Sequence, residues 1–238
     1  MTARLTPQRL GVVVPAKNES QALGPCLMAL TEAARRVDLP VHVLVVLDDC
    51  SDGSTEAVRA VASKTDGVRI DHMEVTANNV GQVRRTGMEE LIARIGTTDT
   101  WLATTDADTV VPPHWLAAQL RHVALGAEVV AGTVTVNDWS DRPAGLRERA
   151  ARSYAHHPLR HGHVHGANLA FGATAYLAAG GFPDRRHGED VALMRSFRRN
   201  GNRIAWAVDL AVATSARRDA RAPAGFAAYL DTLESESS

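Results

Sequence analysis

Short apolar runs alternate with longer amphipathic stretches along this chain, and the alternation predicts strands followed by helices. Residues 10–15 (LGVVVP) form a β-branched run stopped by a proline. Residues 19–37 place Ala22, Cys26, Leu27 and Leu30 at helical spacing, with Gly24-Pro25 pointing to a late start. Residues 41–47 are almost continuously apolar, as expected of a strand covered on both faces. They run into the turn cluster Asp48-Asp49-Cys50-Ser51-Asp52-Gly53, after which a helix is expected over about 54–63. The cycle repeats with strand 68–75, helix 80–95 and strand 100–105. Pro112-Pro113 opens a helix through about 125, and strand 128–136 follows. Residues 138–165 break the rhythm: they are polar and rich in arginine and histidine, with one helix expected at about 144–154. Helices are expected over 174–179, 190–200 and 225–233, with 203–213 extended and an acidic, fraying tail at 234–238.

This alternation predicts an α/β fold with a mainly parallel central sheet flanked by helices. No internal repeat or low-complexity linker divides the 238 residues, so one domain is expected. A formal charge of −1, from 26 basic and 27 acidic side chains, excludes a generally basic nucleic-acid binder. No apolar run approaches the roughly 18 residues of a membrane span, and no signal peptide is visible. Cys26 and Cys50 are too few for a disulfide framework and lack zinc spacing, which reads as two thiols in a reducing cytoplasm. Lys17 and Lys64 are the two lysines; the many arginines read first as a coding bias and as phosphate chemistry only where context supports it.

Ligands of open parallel sheets sit beyond the carboxyl ends of the strands. Three such ends carry polar clusters: Lys17-Asn18-Glu19, Asp48-Asp49 and Asp106-Ala107-Asp108. A single carboxylate there is usually a turn residue or helix cap, but three on one edge suggest a site. If the chain is extended, Asp106 and Asp108 share a face and converge on one hard cation. Such a cation suits phosphate oxygens, which points to a nucleoside diphosphate with Mg²⁺ or Mn²⁺.

Six segments then resemble, in order and spacing, a family 2 glycosyltransferase with the glycosyltransferase-A fold. They are VVVPAKNES (12–20), VLDDCSDGST (46–55), NVGQVRRTGM (79–88), TTDADTVVPPHW (104–115), GANLAFGATAYLAAGGF (166–182) and GEDVALMRSFRRNG (188–201). The resemblance implies a Rossmann-like nucleotide-binding half over about 10–110 and a smaller acceptor half over about 111–222. It places Pro15 and Glu19 beside the nucleotide, Asp49 with Asp48 at the base, and Arg84 near base or phosphate. It makes Asp106 and Asp108 a DxD motif, Asp106 at ribose and metal and Asp108 on the metal. It makes Asp190 the general base and puts Glu189 on the acceptor side. Arg217, Arg218 and Arg221 resemble a basic loop that closes over the diphosphate, or else form a solvated charged loop.

The implied reaction is a non-processive, inverting transfer of one sugar from a UDP-, GDP- or dTDP-type donor to an acceptor hydroxyl, by a cytoplasmic enzyme for which a homodimer is one candidate assembly. Gly172 stands where many relatives carry an arginine, and the QxxRW signature of processive synthases is absent. His156, His157, His161, His163 and His165 suggest acceptor-pocket lining or a polar loop ahead of a zinc site. His165 abuts the motif containing Asn168 on the acceptor side, and His187 precedes the Gly-Glu-Asp motif. Trp115 and Trp139 face either a sugar or the core. Gly180-Gly181-Phe182 reads as a tight turn. Two rivals are carried: a non-catalytic nucleotide-sugar binder, and a haloacid-dehalogenase-type phosphohydrolase. The latter rests on the resemblance of residues 105–110 to DxDxT, but both lysines lie upstream of that motif. No GxGxxG follows the first strand, which disfavours a dehydrogenase.

Overall fold

A computed structural model of the chain describes residues 4–77, 79–136, 145 and 164–214. Their strands form one seven-stranded sheet in the order β3-β2-β1-β4-β6-β5-β7. β1 (Arg9–Ala16), β2 (Val41–Asp48), β3 (Arg69–Val75) and β4 (Thr100–Thr104) run parallel to one another. β6 (Leu169–Gly172) is antiparallel to both β4 and β5 (Val129–Val136), and β7 (Ile204–Thr214) pairs parallel with β5 at the edge.

The period of two along each central strand divides the core into two layers. Val12, Val14, Val43, Val45 and Leu47 face α1 (Ser20–Ala34), α2 (Ser54–Ala62) and α4 (Trp115–Ala124). Val13, Leu44 and Val46 face the other way, toward α3 (Val80–Ile95), α5 (Ala173–Ala178) and α6 (Glu189–Arg199). With both faces covered, β1 and β2 need apolar residues at every position, which is why their pattern is continuous. At Gly11 and Gly87 an added Cβ would collide with Leu91 and Val46, so α3 packs directly on the sheet backbone.

Most expected elements are present within a residue or two. α1 begins at Ser20 and takes Pro25 inside it, earlier than Gly24-Pro25 suggested. Its first turn is anchored from outside: Glu19 N–H donates to Ser54 Oγ at 3.0 Å and Ser20 N–H to Asp52 Oδ2 at 2.9 Å. Pro25 and Gln21 are exposed, so water can take the carbonyl that proline leaves without a donor. α4 begins at Trp115, after the prolines, behind a turn in which Trp115 N–H donates to the Pro112 carbonyl at 2.9 Å. β6 was not expected: LAFG is four residues long and runs straight into a helix. β7 carries three extra residues, Val208, Asp209 and Leu210, between Ala207 opposite Gly132 and Ala211 opposite Thr133. The helices expected at 144–154 and 225–233 and the tail lie outside the described residues, apart from Gly145. Among the described residues no helix is long and apolar enough to cross a membrane.

Candidate functional site

Because β1, β2 and β4 are parallel, their carboxyl ends share one edge. β4 stays in register with β1 through Val13–Thr104, and Thr105 N–H donates to the Val13 carbonyl at 3.3 Å. Pro15, two residues on, presents its missing N–H to the same side, where the pairing has ended. The sheet therefore opens at Pro15 without leaving a buried donor unpaired, and the cleft starts there.

The loops after β1 and β2 are stitched together. Asn18 Oδ1 accepts from Ser51 N–H at 2.8 Å, and Cys50 Sγ accepts from Asn18 N–H at 3.3 Å. Asp48 is buried, with Oδ1 accepting from Ala77 N–H at 2.8 Å and Oδ2 paired with Lys17 at 3.2 Å. Asp49 is exposed in a left-handed conformation, φ 47°, with its N–H donated to Val75. Of the two acids, Asp49 is the exposed one and Asp48 holds the loop. Glu19 is buried, and its carbonyl accepts the Ala22 and Leu23 N–H groups that open α1. Cys26 is buried and Cys50 half-buried, both as free thiols; burial above all, and then Asp108, Asp106 and Glu19, push the Cys26 thiol up.

Asp106 and Asp108 lie past the end of β4, in a turn where Thr109 N–H donates to the Asp106 carbonyl at 3.1 Å. Extended chain, with both carboxylates on one strand face, is therefore replaced by a turn that gives each its own partner. Asp106 Oδ1 accepts from Arg84 Nη2. Asp108 Oδ1 accepts from Thr214 Oγ1 at 3.4 Å, and Thr214 Oγ1 accepts from Thr109 Oγ1 at 3.3 Å. No local signal marked Thr214, which comes from the end of the most distant strand.

Arg84 is the hub. Only 4 % exposed, it donates through Nη2 to Asp106 and through Nη1 to Glu189 Oε1, and its guanidinium lies 6.0 Å from the centre of the Phe182 ring. Two charge-assisted bonds to separate carboxylates exploit the planar fork of arginine. Burial works against the charge on Arg84, but Asp106, Glu189 and Asp190 outweigh it, so the group holds its proton more firmly than usual. Burial pushes the Glu189 carboxyl up by more than Arg84 pulls it down, and Asp190 adds to the rise. Arg84, expected near base or phosphate, is thus committed to joining the strand-end acid to the acidic pair of α6.

That pair opens α6 behind Gly188, whose φ of 69° turns the chain into the helix. Glu189 is buried against Arg84, whereas Asp190 is half-buried, with Oδ2 accepting from Gly166 N–H at 2.8 Å. His165 is half-buried beside Gly166, and His187 is exposed one residue before Gly188. Asn168 departs from its expected acceptor-side place. It is 1 % exposed, donates through Nδ2 to the carbonyls of Thr133 (2.9 Å) and Leu210 (2.8 Å), and accepts from Trp115 Nε1 (2.9 Å). It pins the bulge of β7 to β5 and α4. Trp115 is accordingly a core residue. Gly180 and Gly181 both have positive φ, and Tyr176 Oη accepts the Phe182 N–H, so the expected tight turn is present. Arg217, Arg218, Arg221, Trp139 and the histidines from 156 to 163 lie outside the described residues.

Among the described residues, no three His, Cys, Asp or Glu side chains gather as a metal cage. Asp106 and Asp108 offer hard oxygen donors, however, and Mg²⁺-type ions are commonly held by one or two carboxylates with waters and substrate phosphates. The donor set fits a cation that arrives with a diphosphate.

The same fold occurs in solved glycosyltransferases. A mannosyltransferase from Pyrobaculum calidifontis, in complex with GDP-Man and Mn²⁺, is 22% identical with a TM-score of 0.67, over 90% of this chain and 59% of that one. TarS 1–349 of S. aureus, in complex with UDP-GlcNAc, is 14% identical with a TM-score of 0.67, over 96% and 71%. Glucosyl-3-phosphoglycerate synthase of Mycobacterium tuberculosis, with Mg²⁺ and UDP, is 17% identical with a TM-score of 0.52, over 87% and 70%. The chain thus spans under two thirds of the mannosyltransferase. No curated protein sequence matches it. The family model for glycosyl transferase family 2 matches residues 11–205, from within β1 into β7. A match of that extent, over a glycosyltransferase-A sheet whose parallel strand ends carry the acids of the motifs, makes this chain a member of glycosyl transferase family 2.

Proposed function

We propose that the protein transfers one sugar from a nucleoside-diphosphate sugar to an acceptor hydroxyl, with inversion at the anomeric carbon. The observation that carries this reading is the spanning of the cleft by Arg84: it joins Asp106, at the strand-end edge, to Glu189, next to Asp190 on the opposing helix. A donor-holding acid and a candidate base are thereby held around one cleft, as an in-line displacement needs.

The exposed Asp49 carboxylate can accept a ring N–H from a uracil-, thymine- or guanine-type base, which adenine does not offer. The GDP- and UDP-bound neighbours support that choice. Asp190, half-buried and oriented by Gly166 N–H, takes the acceptor hydroxyl's proton as that oxygen attacks the anomeric carbon. The bond to the diphosphate oxygen breaks as the new glycosidic bond forms, and the nucleoside diphosphate leaves with the bonding pair. Asp106 and Asp108 would hold Mg²⁺ or Mn²⁺, which when bound offsets charge on the departing diphosphate. The phosphohydrolase alternative falls with the family assignment.

A thermal-shift screen of UDP, GDP, dTDP, ADP and CDP with Mn²⁺ tests the reading. A ligand at a hundredfold excess over Kd stabilises the native state by about 2.7 kcal/mol. One of the first three should raise Tm, and EDTA or Asp108→Ala should abolish the rise. Asp190→Asn should keep the rise and lose turnover. No response to any nucleotide defeats the proposal, and binding without turnover in the wild type leaves a nucleotide-sugar binder.

A further inference from the structure

The candidate base and the donor-side ion pair meet at a single peptide unit. Gly166 begins a 3₁₀ turn (Gly166–Asn168), and its N–H donates to Asp190 Oδ2 at 2.8 Å. A Cβ at this position would lie 2.5 Å from both Cζ and Nη2 of Arg84 and 2.7 Å from Nη1. Non-bonded carbon contacts are favourable at about 3.5–4.0 Å, so the guanidinium fills the space that any side chain at 166 would need. Gly166 is not among the described glycines with positive φ, and its backbone does not itself demand glycine. Proximity to Arg84 does.

Arg84 cannot readily yield. Its two terminal nitrogens are committed to Asp106 and Glu189, and the side chain is buried beside Phe182. A side chain at 166 must therefore push the guanidinium off its carboxylates, or carry the 166 N–H and Asp190 out of place. Resting on the assignment of Asp190 as the base, we propose that Gly166 is a positioning residue for the transfer. Its bare α-carbon lets Arg84 span the cleft, and its N–H aims the Asp190 carboxylate, so one contact sets the base against the donor side. Misalignment of this kind reduces turnover without a matching loss of substrate binding.

Four proteins test this: wild type, Gly166→Ala, Arg84→Lys and the double variant. Lysine keeps the charge but lacks Nη1 and Nη2, two of the three atoms that a Cβ at 166 would meet, and its single ammonium can move aside where the planar fork cannot. UDP-glucose, UDP-GlcNAc and GDP-mannose serve as donor probes with Mn²⁺, and turnover is read as hydrolysis of the donor that wild type uses best. Gly166→Ala should lower kcat at least about tenfold while donor KM stays within about threefold. In the Arg84→Lys background the same change should cost less than about threefold, because the rigid fork that fills the space is gone. Equal losses in both backgrounds, a loss carried by KM, or full activity of Gly166→Ala would each overturn the proposal. Should Gly166→Ala fail to fold, Tm decides: the double variant must melt above it, and no recovery overturns the role of Arg84. A wild type that turns over none of the three donors overturns the functional reading and this proposal together.

Discussion

Two buried polar side chains, Thr214 and Asn168, hold other groups in place. Thr214 reaches Asp108 across 106 residues of sequence and is itself steadied by Thr109. Outer partners of metal-binding carboxylates commonly govern metal affinity by about 10–100-fold when removed. Thr214→Val, nearly the same shape without the hydroxyl, should therefore weaken Mn²⁺ binding at least about tenfold in calorimetric titration. Unchanged affinity would show that Asp108 does not depend on it. Asn168 is the second case. Asn168→Ala strips partners from Trp115 Nε1 and from the carbonyls of Thr133 and Leu210. The expected loss is at least about 2 kcal/mol in urea denaturation, and a smaller loss would mean water replaces the amide. Both roles escaped a reading of local sequence. Asparagine in a motif looks the same whether it faces a sugar or a bulge, and Thr214 carries no local signal of its distant partner.

Among the elements, α1 and α2 share one latch. Asp52 accepts the first N–H of each, from Ser20 at 2.9 Å and from Ser54 at 3.0 Å, in addition to the Ser54 hydroxyl. Helix N-termini carry unpaired donors and partial positive charge, so one carboxylate satisfies two ends at once. Asp52→Ala should destabilise the fold by about 1–2 kcal/mol, read from the denaturation midpoint. Burial raises the Asp52 carboxyl, but hydrogen bonds from Ser54 and Ser20 prevail and hold it at about 2, below its ordinary 3.8. The folded state thus favours the charged form: the contribution is complete above about pH 4 and disappears as pH falls toward 2. Asp52→Asn should flatten stability across that window, and an unchanged profile would contradict the latch. The long strands and α3 were legible because their periodicity extends over many residues. β6 was not, since four apolar residues carry no period and become a strand only between β4 and β5. Pro25 misled because helix propensity is local, whereas the anchor at Asp52 comes from another loop.

Across the whole molecule the polar groups collect at opposite ends of the sheet. The cleft uses the carboxyl ends, while His42, near the amino end of β2, pairs with Asp71 at 2.8 Å; Asp71 also meets Arg69 and Arg94, and Arg94 meets Glu90. Burial lowers the His42 pKa; the hydrogen bond that its ring N–H donates to Asp71 opposes the fall and Arg69 adds to it. The unfolded chain therefore binds a proton before the folded one, so stability is complete above about pH 6.5 and declines below it. Wild-type Tm should fall between pH 7 and 5.5, and His42→Gln should flatten that slope while leaving nucleotide binding unchanged. A slope that survives the substitution assigns the effect elsewhere.

At this same scale the limits of sequence and tertiary structure separate cleanly. The order of strands and helices apart from β6, the parallel central sheet, the family, and the collection of Asp49, Asp106 and Asp108 at strand ends follow from hydrophobic period and motif spacing. These are local properties, and the chain carries them wherever it folds. Which acid of each pair is exposed, that Arg84 binds two carboxylates, and that Gly166 must be bare depend on atoms brought together from β4, α3, the 3₁₀ turn and α6. Such contacts join residues far apart in the chain, Arg84 and Glu189 being separated by 105 in sequence number. Long-range packing alone brings them within bonding distance, because hydrogen bonds and steric exclusion act over a few ångströms and leave no periodic trace in the sequence.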